Sequence, residues 1–351
     1  MLFNYPVQAT QVNWLHDCMH TMTLCLLNDK INADQPATWP DCIEPAHRDI
    51  LTTRTGLRDR YNTLVGVSEN LTQQQLQDAL ALCHAQNDLP NIFDGHTYCQ
   101  TTSGFPEAFV DALKSFYKFG FSLLSSIGVR DTHYQTIYDH MRNKICPFCG
   151  VEPFEAPVEP RHDLDHFLAV SLYPFAGVNL RNLVPMGDRC NSAHKHAADI
   201  LFCNQGNRRR VFDPYGQSVA SVSLSNSRFF SQNGDTIKPA WDIDLGGTAE
   251  SETWDQVWNI RRRYAESHLT PEYPSWLAAF GRWCRRLGLD LSIGDTAQTA
   301  LEDYSYDLSL EGFADKAYLK MAFFDFIQGL LLNPIQSDRI RNFLIDTVEF
   351  A

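Results

Sequence analysis

Four short motifs that could take part in catalysis or metal binding follow one another within residues 146–195. In chain order they are Cys146-Pro-Phe-Cys149, Asp165-His166, Asn182-Leu-Val-Pro185, and Cys190-Asn191 with Lys195 shortly afterwards. Two cysteines at this spacing fit one tetrahedral zinc ion, which needs two more ligands from elsewhere. An Asp-His pair or a single asparagine is ordinary by itself. It is the combination in one short segment that indicates a site.

Asp165, His166 and Asn191 together have the chemistry that phosphodiester hydrolysis needs. A general base must take a proton from water, and histidine titrates close to neutral pH. If Asp165 and His166 lie on a strand, their side chains point to opposite faces, so Asp165 can bind a metal instead of the same water. One carboxylate and one carboxamide leave several positions of Mg²⁺ open for water and phosphate. We therefore predict His166 as the base and Asp165 and Asn191 as ligands of Mg²⁺ or Mn²⁺.

The order and spacing of these motifs resemble the HNH endonucleases, also called ββα-metal nucleases. The span HDLDHFLAVSLYPFAGVNLRNLVPMGDRCNSAHKH, residues 162–196, carries most of the resemblance, which covers about residues 141–215. Asn191 stands where the eponymous motif has its last histidine, so the chain resembles the H-N-N variety of the family. The resemblance also implies that Asn182 braces the loop between two strands and so orients the base, without binding the metal.

The same resemblance implies a local structure. It predicts strands at residues 163–168 and 182–185 and a helix from Cys190 to about Leu201. The fold class is then α+β, with a ββα-metal nuclease core at residues 141–215 embedded between mainly α-helical flanks.

The cysteines depart from the family pattern. Many members hold a structural zinc with two CxxC pairs, but Gly187 stands three residues before Cys190. A closed zinc site takes four ligands, whereas only Cys146, Cys149 and Cys190 remain. Either zinc binds with an atypical ligand or packing has replaced it. The candidates for the fourth ligand are His194, His162 and Cys203.

Charge is distributed unevenly along the chain. The 29 basic and 42 acidic residues give a net charge of −13, which by itself argues against a polyanionic partner. Residues 181–210, however, hold six basic and two acidic residues. As a solvated face they would need no partner, but beside a nuclease motif we predict contact with phosphates. The predicted contacts are Arg181, Arg189, Lys195, Arg208, Arg209 and Arg210.

The flanks must position these motifs, and their apolar spacing is mainly helical. In the N-terminal region, residues 1–140, helices are predicted at Val12–Leu27 and at residues 109–123, the second capped by Ser103. In the C-terminal region, residues 216–351, a few strands are followed by helices. Strands are predicted in Ser218–Phe230 and Ala240–Leu245 and a helix at Ser275–Leu287 ended by Gly288, with two further helices in the last ~50 residues.

The composition is that of a folded protein, with 44% hydrophobic and 20% charged residues in 351. The longest apolar stretch, Leu319–Leu332, is interrupted by charged residues, so we predict no membrane span. The first residues lack the basic and apolar regions of a signal peptide. A cytoplasmic protein is predicted, and its ten cysteines are therefore not expected to form a disulfide framework.

The leading hypothesis is an HNH endonuclease that acts on double-stranded DNA. One metal and one base address one strand at a time, so nicking is expected of a monomer. The motif YPFxxxNLxNLVPMGxxCNSxxK resembles HNH proteins of bacterial antiphage defence, which implies a sensor or ATPase partner. Two alternatives stay open: a non-catalytic, zinc-knuckle-like nucleic-acid-binding module, and a ribonuclease or toxin of the same fold. The residues do not separate DNA from RNA.

Overall fold

A computed structural model describes residues 1–159, 162–231 and 236–351 of the protein. The chain divides into two compact units, each assembled from segments that are not contiguous in sequence. The N-terminal unit consists of Phe3–Lys144 and Phe154–Ser218; the C-terminal unit consists of Met1–Leu2, Ile145–Pro153 and Val219–Ala351. The predicted domain ranges 1–140, 141–215 and 216–351 are not tested by this division and stay predictions.

The N-terminal unit begins with helices whose apolar faces pack on one another. They are α1 Trp14–Ile31, α2 Arg48–Leu51, α3 Thr55–Ser68, α4 Gln73–Asn87, α5 Leu89–Asp94, α6 Glu107–Ser126 and α7 Val129–His140. Gly120 lets α6 approach α1 closely, because an added Cβ would lie 2.4 Å from the sulfur of Met19. The helices predicted at Val12–Leu27 and at residues 109–123 are thus confirmed as α1 and α6. The cap predicted at Ser103 is wrong, since α6 begins after Pro106.

A short hairpin follows in the same unit. Strand β1, Leu164–His166, pairs antiparallel with β2, Leu183–Pro185, so that His166 lies opposite Leu183. Both strands fall inside the ranges predicted for them. The next element is a π-helix, Arg189–Lys195, which is shorter than the predicted helix to Leu201. It ends there because His196 has a φ of 48°, which a right-handed helix cannot continue.

The C-terminal unit combines one small sheet with helices. Strands β3 Arg228–Phe230 and β4 Ile237–Ala240 pair antiparallel and precede α8 Ala249–Trp258, α9 Ile260–Arg263, a π-helical turn Tyr264–Leu269, α10 Thr270–Leu287, α11 Thr296–Glu311, α12 Ala317–Leu332 and α13 Ser337–Phe350. Gly288 is the left-handed C-cap of α10, as predicted. The strand predicted at Ala240–Leu245 is wrong, because β4 ends at Ala240. Three helices, not two, follow α10.

The described residues combine helices with two two-stranded sheets, which fits the predicted α+β class, and the ββα-metal core within it stays a prediction. Among these residues, no helix combines the length and the apolar character that crossing a bilayer requires.

Candidate active site and cysteine knuckle

His166 occupies the last position of β1 with its ring turned inward. Its Nε2 lies 2.8 Å from the carbonyl oxygen of Gly177, and its ring centroid lies 4.4 Å from that of Phe121 on α6. A carbonyl can only accept a hydrogen bond, so the proton of the neutral ring is on Nε2. Nδ1 therefore keeps its lone pair and can accept a proton.

The electrostatic surroundings keep this ring neutral. Burial, the main cause, and the charges of Lys195 and Lys118 together lower the pKa of His166 to about 4, against the raising effect of the hydrogen bond to the Gly177 carbonyl. At neutral pH the imidazole is then fully in its proton-accepting form. The same shift makes it a weaker base than an exposed histidine, whose pKa is about 6.5.

Asp165 faces a buried cation. Its Oδ2 lies 2.6 Å from Nζ of Lys195, and the side chains of Asp165 and Lys195 are 15% and 1% exposed. The same ammonium donates to the backbone carbonyl of His166 at 2.7 Å. Burial raises the pKa of Asp165, and the charge of Lys195 opposes that rise. Lys195, predicted as a phosphate contact, thus directs its charge inward and ties the π-helix to β1.

Asn182 is fully buried and crosslinks the loop between the two strands. Its Oδ1 accepts from the backbone N–H of Leu168 at 2.6 Å, and its Nδ2 donates to the carbonyls of Leu168 and Ala176, both at 3.1 Å. This loop contains Gly177, whose carbonyl holds His166. The geometry is that of a brace, and the supporting role of Asn182 in catalysis stays a prediction.

Strand β2 is anchored from the other side by polar side chains. The carbonyl of Leu183, opposite His166, accepts from the hydroxyl of Tyr215 at 2.5 Å and lies 3.2 Å from Nε2 of His133. Nδ1 of His133 lies 2.8 Å from the carbonyl of Ala9. These buried contacts fix the strand that supports the histidine.

Asn191 is the third residue of the π-helix and is half-buried. Its backbone N–H donates to Gly187 at 2.9 Å, and its carbonyl accepts from His196 at 2.8 Å. These bonds place Asn191 one helical turn before Lys195, the residue paired with Asp165. Its predicted role as a metal ligand stays a prediction.

The arginines predicted to contact phosphates differ in their surroundings. Arg181 pairs with Asp213 at 2.5 Å, and Arg208 donates to the carbonyl of Ile92. Both guanidinium groups therefore have protein partners. Arg209 donates to the carbonyl of Asp199 at 3.3 Å, and Arg189 and Arg210 are exposed. Contact of this set with nucleic acid stays a prediction.

The segment Ile145–Pro153, here called the cysteine knuckle, presents metal ligands within the C-terminal unit. The Sγ atoms of Cys146 and Cys149 and a carboxylate oxygen of Glu152 lie within 4.8 Å of one another. The turn is closed by backbone bonds from Cys146 to the carbonyl of Glu152 at 2.8 Å and from Gly150 to that of Cys146 at 2.7 Å. Two thiolates and a carboxylate could hold a metal such as zinc.

The knuckle is held by aromatic side chains from later in the chain. The carbonyl of Cys149 accepts from the hydroxyls of Tyr264 at 2.9 Å and Tyr318 at 3.0 Å. The indole of Trp254 donates to the carbonyl of Phe148 at 2.8 Å. Backbone that would otherwise be buried without partners is thereby satisfied, and the two thiols are kept in place.

Glu152 is the ligand that sequence reasoning missed, although it follows Cys149 at the same spacing that separates the two cysteines. Cys190 belongs to the N-terminal unit, as the second residue of the π-helix. Its predicted part in a zinc site stays a prediction. The same holds for the other candidates, His162, His194 and Cys203.

If the knuckle holds zinc, Cys149→Ser should remove the metal and lower both stability and activity, since structural zinc contributes folding free energy directly. If no zinc is bound, Cys149→Ser should lower the free energy of unfolding by only the ~1–3 kcal/mol of an imperfectly paired buried hydroxyl. Elemental analysis of protein purified without chelator, beside thermal unfolding, measures both. The exposed Cys25 provides the control Cys25→Ser, which should retain the metal. A zinc-free, fully active wild type would contradict the zinc site.

No family model, curated protein or solved structure matches this chain. The likeness to HNH nucleases therefore rests on the sequence motif and stays a prediction.

Proposed function

We propose that this protein is a metal-dependent endonuclease of the HNH type that nicks double-stranded DNA. His166 acts as the general base, Asn182 braces its loop, and Asp165 and Asn191 hold Mg²⁺ or Mn²⁺. The observation that carries the proposal is the contact of His166 Nε2 with the Gly177 carbonyl, which leaves Nδ1 as the proton acceptor.

The hairpin supports this division of roles. Asp165 and His166 are neighbours on β1, so their side chains project to opposite faces of the strand. His166 packs against Phe121 of α6, whereas Asp165 is directed to Lys195 of the π-helix. The acid can thus serve a cation while the histidine takes a proton from water.

The donors at positions 165 and 191 suit a hard divalent cation, which when bound would neutralise charge on the scissile phosphate and its leaving oxygen. Oδ2 of Asp165 is paired with Lys195, and we assign the cation to Oδ1 of the same carboxylate. Asn191, one turn before Lys195 on the same helix, is the second donor. His166 needs no charge of its own in this arrangement, because it acts as a neutral base.

A plasmid-nicking assay with and without Mg²⁺ tests the proposal. The wild type should convert supercoiled DNA to the open-circular form only when Mg²⁺ or Mn²⁺ is present. Asp165→Ala and Asn191→Ala should lose activity through weaker metal binding and should recover part of it at high metal concentration. Absence of rescue in both variants, together with unchanged metal affinity by titration, would show that these residues are not ligands. The same assay on RNA tests the ribonuclease alternative.

The biological setting proposed is antiphage defence in the cytoplasm, together with a sensor or ATPase partner. It is supported by the motif between Tyr173 and Lys195 and by the net charge of −13. Weak intrinsic affinity of an acidic protein for DNA would protect host DNA until a partner delivers the enzyme.

The second candidate is a non-catalytic, zinc-knuckle-like module that binds nucleic acid. The observation that favours it is the group formed by Cys146, Cys149 and Glu152. It predicts zinc-dependent binding without any nicking, so the plasmid assay separates the two functions.

A further inference from the structure

The helix that carries Phe121 to the His166 ring also lines a cleft. This cleft, with a volume of about 510 Å³, lies between α3 and α6 in the N-terminal unit. Its lining includes three basic residues, Arg60, Lys114 and Lys118, and one acidic residue, Asp111. The net charge of the whole chain is −13, so the excess of positive charge in this cleft is opposite in sign to the protein's overall charge.

The basic groups are arranged along one polar face. Asp111, Lys114 and Lys118 recur at the three- and four-residue spacing that aligns side chains along one side of α6. Within the described part of the chain, neither lysine has a carboxylate within ion-pair distance. Their charges are therefore available to a ligand.

Arg60 is preorganised at the opposite wall. Its guanidinium lies 4.3 Å from the ring centroid of Phe119 and donates to the carbonyl of Gly56 at 2.8 Å. Gly56 lets α3 come close to α6 at this point, because an added Cβ would lie 2.6 Å from the ring of Phe119. The cleft is thus bounded on both sides by cations held on rigid helices.

The cleft and the proposed base are in contact with the same helix, α6. Phe121, three residues after Lys118 and so on an adjoining face of α6, contacts the His166 ring. Lys114 and Lys118 are separated by about 6 Å along the helix axis. That is close to the axial rise of two nucleotide steps of one strand, about 7 Å at 3.4 Å for each step.

We infer that the cleft lined by Arg60, Lys114 and Lys118 binds the phosphodiester backbone of the substrate beside His166. The inference rests on the proposed nuclease function and names its substrate-binding surface. It adds a helical surface outside the HNH-like segment to the arginines predicted from sequence. Asp111 opposes the binding, since its carboxylate repels phosphates at the same site.

Fluorescence anisotropy with a labelled DNA duplex tests this, using His166→Ala as the parent so that cleavage does not interfere. Lys114→Gln/Lys118→Gln should raise Kd roughly 10-fold and reduce the slope of log K against log salt by about 2. Asp111→Asn should lower Kd, a gain that misfolding cannot imitate. The control is Arg285→Gln/Arg286→Gln, which removes the same charge from exposed residues at the end of α10 and should leave Kd within about twofold.

The outcomes separate this inference from the proposed function. Unchanged affinity and salt slope in both cleft variants would overturn the proposal that the cleft binds DNA. Plasmid nicking by the wild type would still support the proposed nuclease function. A cleft-dependent Kd together with a wild type that never nicks would overturn the nuclease and keep the binding surface. If the cleft variants weaken binding only of an RNA of the same sequence, the proposal that DNA is the ligand is overturned. A parent that binds neither nucleic acid overturns the inference.

Discussion

His166→Ala is expected to slow plasmid nicking at least about 100-fold, the lower end of what a positioned general base contributes. The lower end applies because burial lowers the pKa of His166 to about 4, which keeps Nδ1 available but makes the ring a weak base. For the same reason, wild-type activity should persist below pH 6.5, since a base remains active down to its own pKa. Initial rates over a pH series, with DNA binding measured in parallel, check both expectations.

Two variants make the result interpretable. His166→Gln keeps a donor near the Gly177 carbonyl but provides no comparable base, so it should be as inactive as the alanine variant. His140→Ala, at the exposed end of α7, should nick at the wild-type rate. Activity in His166→Gln above about a tenth of wild type would mean that the ring has a positioning role instead of accepting the proton.

Lys195→Met is expected to lower the free energy of unfolding by about 3 kcal/mol, because it leaves the Asp165 carboxylate largely buried without its cation. The value is at the low end for broken buried pairs, since the Asp165 side chain is 15% exposed and keeps some hydration. Activity should fall as well, because the ammonium also holds the His166 carbonyl. Denaturant unfolding measures the stability.

A double variant separates the ion pair from simple loss of volume. Asp165→Asn/Lys195→Met removes both charges and should recover much of the lost stability, with the coupling read from a double-mutant cycle. The pair between Lys30 and Glu69 provides the comparison, because the Glu69 side chain is 63% exposed and stays hydrated without its cation, so Lys30→Met should cost less than about 1 kcal/mol. Equal losses in Lys30→Met and Lys195→Met would rule out a special contribution from the buried pair.

Helices with a strong apolar periodicity or a clear terminating residue were predictable from the sequence. Helix α6 followed from its apolar spacing, and the end of α10 followed from Gly288, which takes the left-handed conformation. The two short strands followed from the motif and not from periodicity, since three residues are too few to show alternation. Helix length after Cys190 was not predictable, because the helix is ended by the backbone conformation at His196.

The roles of the charged residues in the site were harder to predict from the sequence. A lysine next to a nuclease motif suggests phosphate contact, yet Lys195 is 1% exposed and paired with Asp165, which only the tertiary packing decides. Glu152 was overlooked because the fourth zinc ligand was sought among histidines and cysteines, although its spacing from Cys149 repeats that of the two cysteines. Phe121 and Lys118 come from a helix far away in sequence, so no local motif points to their position beside His166.

The interleaving of the two units has a consequence for synthesis on the ribosome. Cys149 leaves the ribosome long before Tyr264 and Tyr318, which lie 115 and 169 residues later and hold its carbonyl. The nascent chain can therefore form the hairpin with His166 while the knuckle still lacks its hydroxyl donors, since domains fold as their residues emerge. During that interval the thiols of Cys146 and Cys149, which are buried in the folded protein, are more accessible to oxidants and to metal ions.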